Sequence, residues 1–336
     1  MSPPAEMSAI VAAHPGGPEI LALQRVPVPA PKPGEVLIRV AAAGVNAPDL
    51  AQRAGLYPPP EGASPLLGLE VSGEIAVAAG GWKIGDKVVA LCNGGGYAEY
   101  VAVPAGQVLP APANWPLEDA AALPETWFTV TQTLVMRSGL EPGMSVLITG
   151  GAGGIGGAAI QICKILGADP IAVVSSSRKA DYALSLGARA VIRHDLEAVA
   201  ARARELTGGR GVDRVVDMVG GEVTRHNIDA LARFGHLVLV ATLGDRNAEL
   251  PLNKLVANQL TVSGSTLRPQ TAETKAAIAA HMRQHLWPAL DDKALPHPKI
   301  RHFALAQAAD AHRALAERSH FGKVVLLTAP PAHAFV

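Results

Sequence analysis

The chain is predicted to be an α/β protein of two domains, a doubly wound parallel sheet and a β-rich domain whose sequence is split around it. Three observations carry this. Strand-like and helix-like runs alternate from residue 145 to residue 262, the mark of a parallel sheet covered by helices on both faces. A glycine-rich turn, Gly151-x-Gly153-x-x-Gly156, directly follows the first of those strands. Before them, residues 7 to 110 read as short strands cut by Gly and Pro, the pattern of a compact β-rich domain. With 336 residues and 49% hydrophobic content, the chain exceeds what one core favours.

In chain order, the first strands include Val36-Leu37-Ile38-Arg39-Val40, Val71 to Val77 and Lys87 to Leu91, with Pro27, Pro29, Pro31, Pro33 and Pro58-Pro59-Pro60 between them. The character changes near Pro116, and 117–140 is Ala- and Leu-rich and reads as helical. The alternating series places strands at 145–149, 170–174, 190–192, 214–217, 236–240 and 260–262, with helices between most of them. A helix at 271–287, a strand, a helix at 307–318 and a last strand at 323–327 follow. These have no place in a six-stranded doubly wound sheet and are assigned back to the first domain. The expected boundaries are 1–123, 124–265 and 266–336, with a Pro/Ala/His end at 329–336.

Composition excludes several classes. Lys plus Arg equals Asp plus Glu, 29 each, so no global field holds a nucleic acid or an anionic membrane. Two cysteines, Cys92 and Cys163, exclude a disulfide framework and read as small buried hydrophobes. No basic region followed by an apolar run opens the chain, and a cytoplasmic location is expected. Met144 to Cys163 is uncharged and contains Gly153-x-x-x-Gly157, which imitates a membrane helix. It is too rich in glycine, however, and splits into a strand-like Ser145-Val146-Leu147-Ile148-Thr149 and a helix start.

The glycine turn carries the chemistry. Glycine there gives a tight strand-to-helix turn, lets a pyrophosphate approach main-chain N–H groups, and lets the helix pack closely on the strand. The helix N-terminus adds partial positive charge. Gly151, Ala152, Gly153, Gly154, Ile155 and Gly156 are therefore candidate dinucleotide-binding residues of a Rossmann domain. NAD-binding chains place an acid about 20 residues further on, at the ribose. Here that position falls on Ser176, within Ser175-Ser176-Ser177-Arg178-Lys179. Hydroxyls and two cations suit a 2′-phosphate, so Ser176, Arg178 and Lys179 point to NADPH. The same segment also reads as a solvated helix start with Ser177 as N-cap.

At this point the sequence resembles the zinc-free quinone oxidoreductases, the zeta-crystallin-like branch of the medium-chain dehydrogenase/reductases. Gly143-Met144, Leu147, Gly151-Ala152-Gly153-Gly154, Gly156, Gln161 and Lys164 stand at that family's spacing. Upstream matches are Gly44-Val45-Asn46-Ala47-Pro48-Asp49, Arg53 to Pro58, Gly68 to Gly73 and Gly85 to Val88; downstream ones are Gly211-Val212-Asp213, Asp217 to Gly221 and Gly322 to Leu326. Pro59-Pro60, Gly62-Ala63-Ser64 and Pro124-Glu125-Thr126-Trp127 are nearest to the branch with tumour-suppressor-inducible members. The resemblance implies a GroES-like catalytic domain split around the Rossmann domain, a cofactor in the cleft between them, and a homodimer formed through the last strand of the sheet.

It also implies the absence of zinc. Zinc-containing relatives carry a Cys near the position of Asn46, a Gly-His-Glu where this chain has Gly68-Leu69-Glu70, and a four-Cys lobe that this chain lacks. His281 and His285, four apart on an expected helix, have no visible third ligand.

By the same resemblance Asn46 and Tyr57 face the nicotinamide pocket. Asn46 is then a hydrogen-bond partner for an acceptor carbonyl, and Tyr57 a donor that orients or protonates the acceptor. The plainer reading of Tyr57 is a turn tyrosine braced by Pro58. Asp49 is expected to cap or brace the segment. Thr129, read as opening the helix after Pro124, matches a threonine near the nicotinamide amide; Lys323 matches a lysine that approaches the cofactor phosphates, and Arg268 is expected to meet the cofactor likewise. Gly220 and Leu243 complete the candidate cofactor residues. Some relatives have a second tyrosine where this chain has Ala51, which leaves the substrate class open. The leading expectation is NADPH-dependent reduction of quinones or related conjugated carbonyls. The alternatives are an enoyl-thioester or 2-alkenal reductase with Tyr57 as proton donor, and a non-enzymatic NADPH-binding structural or RNA-binding role, against which zero net charge and the lack of an RNA motif both speak.

Overall fold

The computed structural model describes residues 3–292, 295–317 and 319–329. The end expected to be rich in Pro, Ala and His falls from residue 330 onward outside the described residues, as does Arg318 at the end of the expected 307–318 helix. The chain forms two compact units. One takes the residues up to Phe128, Arg268–Asp292 and the chain from Lys299 on; the other takes Thr129–Leu267 and a short return ending at Pro298.

The first unit begins with β1 (Glu6–Ala12) and β2 (Leu21–Pro27), an antiparallel pair. There follow β3 (Glu35–Val45), helix α1 (Ala47–Arg53), β4 (Glu70–Val77), β5 (Lys87–Leu91), β6 (Tyr100–Pro104), β7 (Val108–Pro110), and helices α2 (Leu117–Ala120) and α3 (Pro124–Val130). The stretch 117–140, expected as continuous helix, is broken. Pro124 cannot continue a helix begun at 117 and instead opens the next one, and Thr131–Arg137 winds as a π-helix.

The second unit then runs β8 (Ser145–Thr149), α4 (Gly154–Ile165), β9 (Asp169–Val174), α5 (Ser177–Ser185), β10 (Ala190–Arg193), α6 (Val199–Leu206), β11 (Val212–Asp217), α7 (Gly221–Ala230), β12 (Leu231–Leu239), α8 (Leu252–Asn258) and β13 (Thr261–Gly264). The chain closes with α9 (Ala272–His285), α10 (Trp287–Leu290), β14 (Ile300–Ala304), α11 (Ala308–Ala316) and β15 (Lys323–Leu327).

In the second unit the parallel sheet has the order β10-β9-β8-β11-β12-β13, the doubly wound order of a Rossmann fold. Every residue of β8 is buried, as a central strand covered on both faces requires. Leu147, Ile171, Val215 and Leu237 from adjacent strands meet in one apolar core. In the first unit β15 returns to pair antiparallel with β3, Val324 opposite Val45, in a sheet of order β14-β15-β3-β4-β5-β7 with β6 also on β3. Its core gathers Val36, Ile38, Val71, Val88, Val101 and Val324. No helix among the described residues is long and apolar enough to cross a membrane.

Candidate functional site

The second unit presents the nucleotide side. After β8 the chain turns through Gly150 into α4, whose N-cap Gly153 supplies no side-chain acceptor to the first-turn N–H groups. Such a helix start accepts an anion in place of a cap. A Cβ on Gly156 would lie 2.3 Å from the Gly150 oxygen, so this close helix-to-turn approach admits only glycine. The turn from Gly151 to Gly156 thus fits a dinucleotide pyrophosphate.

β9 lies parallel and adjacent to β8, so its carboxyl-terminal loop, 175–179, opens on the same sheet edge. The cap of α5 is Ser176, whose extended backbone (φ −162°, ψ 159°) lets its side chain accept from Lys179 N–H. Ser177, the expected cap, is instead the first helical residue, and its Oγ takes a hydrogen bond of 2.7 Å from Arg193. Arg193, at the end of β10, was not singled out from sequence; it also grips Asp195 through two nitrogens. The signal available was a cation closing the next strand of the sheet.

Gly220 caps α7 at φ +81°, and a Cβ there would sit 2.2 Å from the Asp245 oxygen. The turn is held by Asp217, fully buried at the end of β11, which accepts from the Val219 and Gly220 amides, Thr224 Oγ1 and Asn227 Nδ2. This bracing role was not read from the sequence, although a carboxylate ending an apolar strand before Gly-Gly is its signature. Leu243 is exposed, and its amide donates to Met218 O. Thr129 is buried and stands sixth in α3, not at its start.

The first unit holds a buried polar cluster. Asn46 caps α1 and Asp49 completes a capping box: one Asp49 oxygen accepts from Asn46 N–H at 2.9 Å and the other from Gly68 N–H at 3.0 Å. Of the two expected roles for Asp49, this is the cap. Asn46 Nδ2 donates to Glu70 at 2.8 Å, and its Oδ1 accepts from Lys323 Nζ at 2.7 Å. Lys323 also donates to Glu70 Oε1 at 2.5 Å, and Glu70 Oε2 accepts from Glu125 N–H. Lys323, matched to a phosphate-facing lysine, therefore has its ammonium bound to a fully buried carboxylate. Asn46 keeps one amide N–H for a ligand. Leu69, which the resemblance sets at the place of a zinc-binding histidine, is buried.

A second group lies on the segment that re-enters this unit. Arg268 places its guanidinium 5.5 Å from the centre of the half-buried Tyr57 ring and donates from Nη2 to Asn93 O. Lys275 donates to Asn93 Oδ1 and Arg268 O. Burial pushes the Asp49 carboxyl up to about 6. Burial and then the Glu70 charge push Glu125 up to about 8, while burial brings Lys275 down to about 8. Cys92 and Cys163 are buried free thiols whose pKa values burial raises. The His281 and His285 rings lie 4.6 Å apart with their planes tilted by 42°, and among the described residues no three His, Cys, Asp or Glu side chains group to hold a metal ion.

Residues 32–113 match the alcohol dehydrogenase GroES-like domain and residues 154–282 the zinc-binding dehydrogenase family. A quinone oxidoreductase of Pseudomonas aeruginosa is 34% identical over 322 residues, 93% of this chain and 97% of that one. The chain belongs to the quinone oxidoreductase family of the medium-chain dehydrogenase/reductases. The chain is also similar to other reductases. A 2-haloacrylate reductase of Burkholderia is 30% identical across 93% of this chain and 96% of its own. The solved CurK enoyl reductase superposes with a TM-score of 0.83 at 26% identity, covering 96% of this chain and 99% of that one. As a quinone oxidoreductase family member this protein is an oxidoreductase that uses a nicotinamide cofactor and a small-molecule substrate.

Proposed function

We propose that the chain is an NADPH-dependent, metal-independent reductase of quinones and related conjugated carbonyl compounds. The observation that carries this reading is the closed Asn46–Glu70–Lys323 network. It stands, with Leu69, where zinc-containing relatives place their ligands, and its carboxylate is already neutralised by a lysine. Those residues do not fit a zinc ion, which needs three or four N, S or O ligands. An acceptor that is electrophilic without a Lewis acid is then the suitable substrate.

NADPH would be held by the turn from Gly151 to Gly156, by Ser176, Arg178 and Lys179 around the 2′-phosphate, and by Thr129, Gly220 and Leu243; bound, it supplies a hydride. The chain's own groups orient the acceptor. The Tyr57 phenol donates to an acceptor oxygen, and Asn46 offers its remaining N–H to a carbonyl. A reduced quinone takes its proton from water, so no protein acid is required. The edge strand β13 at the end of the sheet is proposed to pair with that of a second copy, which would satisfy its open backbone groups.

The similarity to CurK, together with Tyr57, supports the second reading, an enoyl-thioester reductase with Tyr57 as proton donor. A panel of quinones, 2-alkenals and a crotonyl thioester, with oxidation of NADPH and NADH as readout, separates the readings. Quinone turnover with NADPH preferred is expected; turnover of the thioester alone, or of no acceptor, would overturn the proposal.

A further inference from the structure

Three cations of the first unit are almost wholly buried: Lys323, Lys275 and Arg268, 5%, 1% and 6% exposed. Among the described residues only Lys323 of the three is ion-paired with a carboxylate. Lys275 holds two neutral oxygens, and Arg268 holds one, the Asn93 carbonyl at 2.9 Å. Arg268 Nε and Nη1 are buried with no hydrogen-bond partner among the described residues, and no carboxylate of those residues pairs with this guanidinium. Asp49, the acid nearest in influence, has both oxygens committed to backbone amides. A buried guanidinium left with unused donors is costly unless an anion completes it.

We propose that Arg268, braced by Lys275 through Asn93, is a receptor for a carboxylate carried by the acceptor. This rests on the reductase reading and narrows its substrate class to conjugated carbonyl compounds that bear an anionic group. A planar guanidinium matches a carboxylate in shape and charge. The Tyr57 ring 5.5 Å away sets the organic part of the same molecule against the phenol. The phosphates of the cofactor have their own donors, the glycine turn and residues 176–179 of the other unit, and this makes Arg268 available to the substrate.

The test has two arms on the full chain. In the first, calorimetry measures the binding of benzoate and of the isosteric, neutral benzamide, and separately of NADPH, to the wild-type protein and to Arg268→Gln. Benzoate is expected to bind about tenfold or more tightly than benzamide, and the preference should vanish in the variant, since charge-assisted hydrogen bonds are worth about 10- to 100-fold. NADPH affinity should hold within about threefold. This arm needs no turnover, so it stands even if the reductase reading fails. In the second arm, 4-oxopent-2-enoate and its methyl ester are compared as acceptors. Arg268→Gln should raise KM for the acid by about 10- to 100-fold and leave the ester within about threefold. Arg268→Lys, which keeps a cation and serves if the Gln variant does not fold, should retain part of the preference for the acid. Equal binding of benzoate and benzamide to the wild type overturns the proposal. So does a loss of NADPH affinity in Arg268→Gln with both acceptors affected alike, which would assign the guanidinium to a cofactor phosphate.

Discussion

Lys323 and Arg268 are buried to nearly the same degree in the same unit, yet they are held in opposite ways. Lys323 is closed: Glu70 neutralises it, Asn46 takes a second donor, and the Glu125 amide completes the carboxylate. Arg268 is open, with one neutral carbonyl and two nitrogens without partners. Burial of a charge therefore does not by itself tell a scaffold from a binding site. The distinction lies in whether the protein supplies the counter-charge or leaves it to a ligand.

The contrast breaks first in stability measurements. Lys323→Met or Glu70→Gln leaves one member of a buried pair uncompensated and should cost about 3–5 kcal/mol in urea unfolding. The double variant Lys323→Met/Glu70→Leu should recover much of that loss. Arg268→Leu, which removes an unpaired buried cation, should be near neutral or stabilising. If Arg268→Leu destabilised the fold as much as Lys323→Met, the two sites would not differ as described.

His312 shows a third way to bury a basic group, by remaining neutral. It lies between Arg53 and the Tyr97 hydroxyl, and burial followed by the Arg53 charge brings its pKa from 6.5 to about 3. Between those values the unfolded chain binds a proton that the folded chain does not, so stability is complete above pH 6.5 and falls as pH drops toward 3. His312→Gln should remove up to about 1.4 kcal/mol per pH unit of that slope. Parallel stability curves for the two proteins across this window would contradict the assignment.

On the nucleotide side the proposed counter-charge of the 176–179 loop is the 2′-phosphate of NADPH. Lys179→Ala should lower the affinity for NADPH relative to NADH by about tenfold, the scale of one charge-assisted contact. An unchanged ratio of dissociation constants, measured at one salt concentration, would remove the 176–179 loop from 2′-phosphate recognition.

The glycine turn and the alternating strands of the second unit were legible in the sequence because each rests on local demands: a glycine where no Cβ fits, and an apolar run where both faces are covered. The role of Lys323 was not, since its partner Glu70 lies 253 residues away in sequence and only the return of β15 onto β3 joins them. Motif matching placed the lysine at the cofactor and gave no hint of the carboxylate that holds its ammonium. Ser176 and Ser177 are indistinguishable as caps until the backbone turns extended at the first of them. Thr129 was read as opening the helix after Pro124, whereas Pro124 itself opens it, its missing N–H costing nothing in a first turn. Arg268 was noticed, but that its donors are unused is a fact of packing alone.

On the proposed function, hydride delivery to a quinone needs an orienting phenol and no protein acid. Tyr57→Phe, assayed with NADPH against a benzoquinone and a crotonyl thioester in parallel, tests it most directly. KM for the quinone should rise severalfold while kcat stays within about threefold, because water supplies the proton. A fall in kcat by about 10²–10⁴-fold on the thioester, the scale of positioned acid catalysis, with quinone turnover untouched, would contradict the claim and make Tyr57 the proton donor of an enoyl reductase.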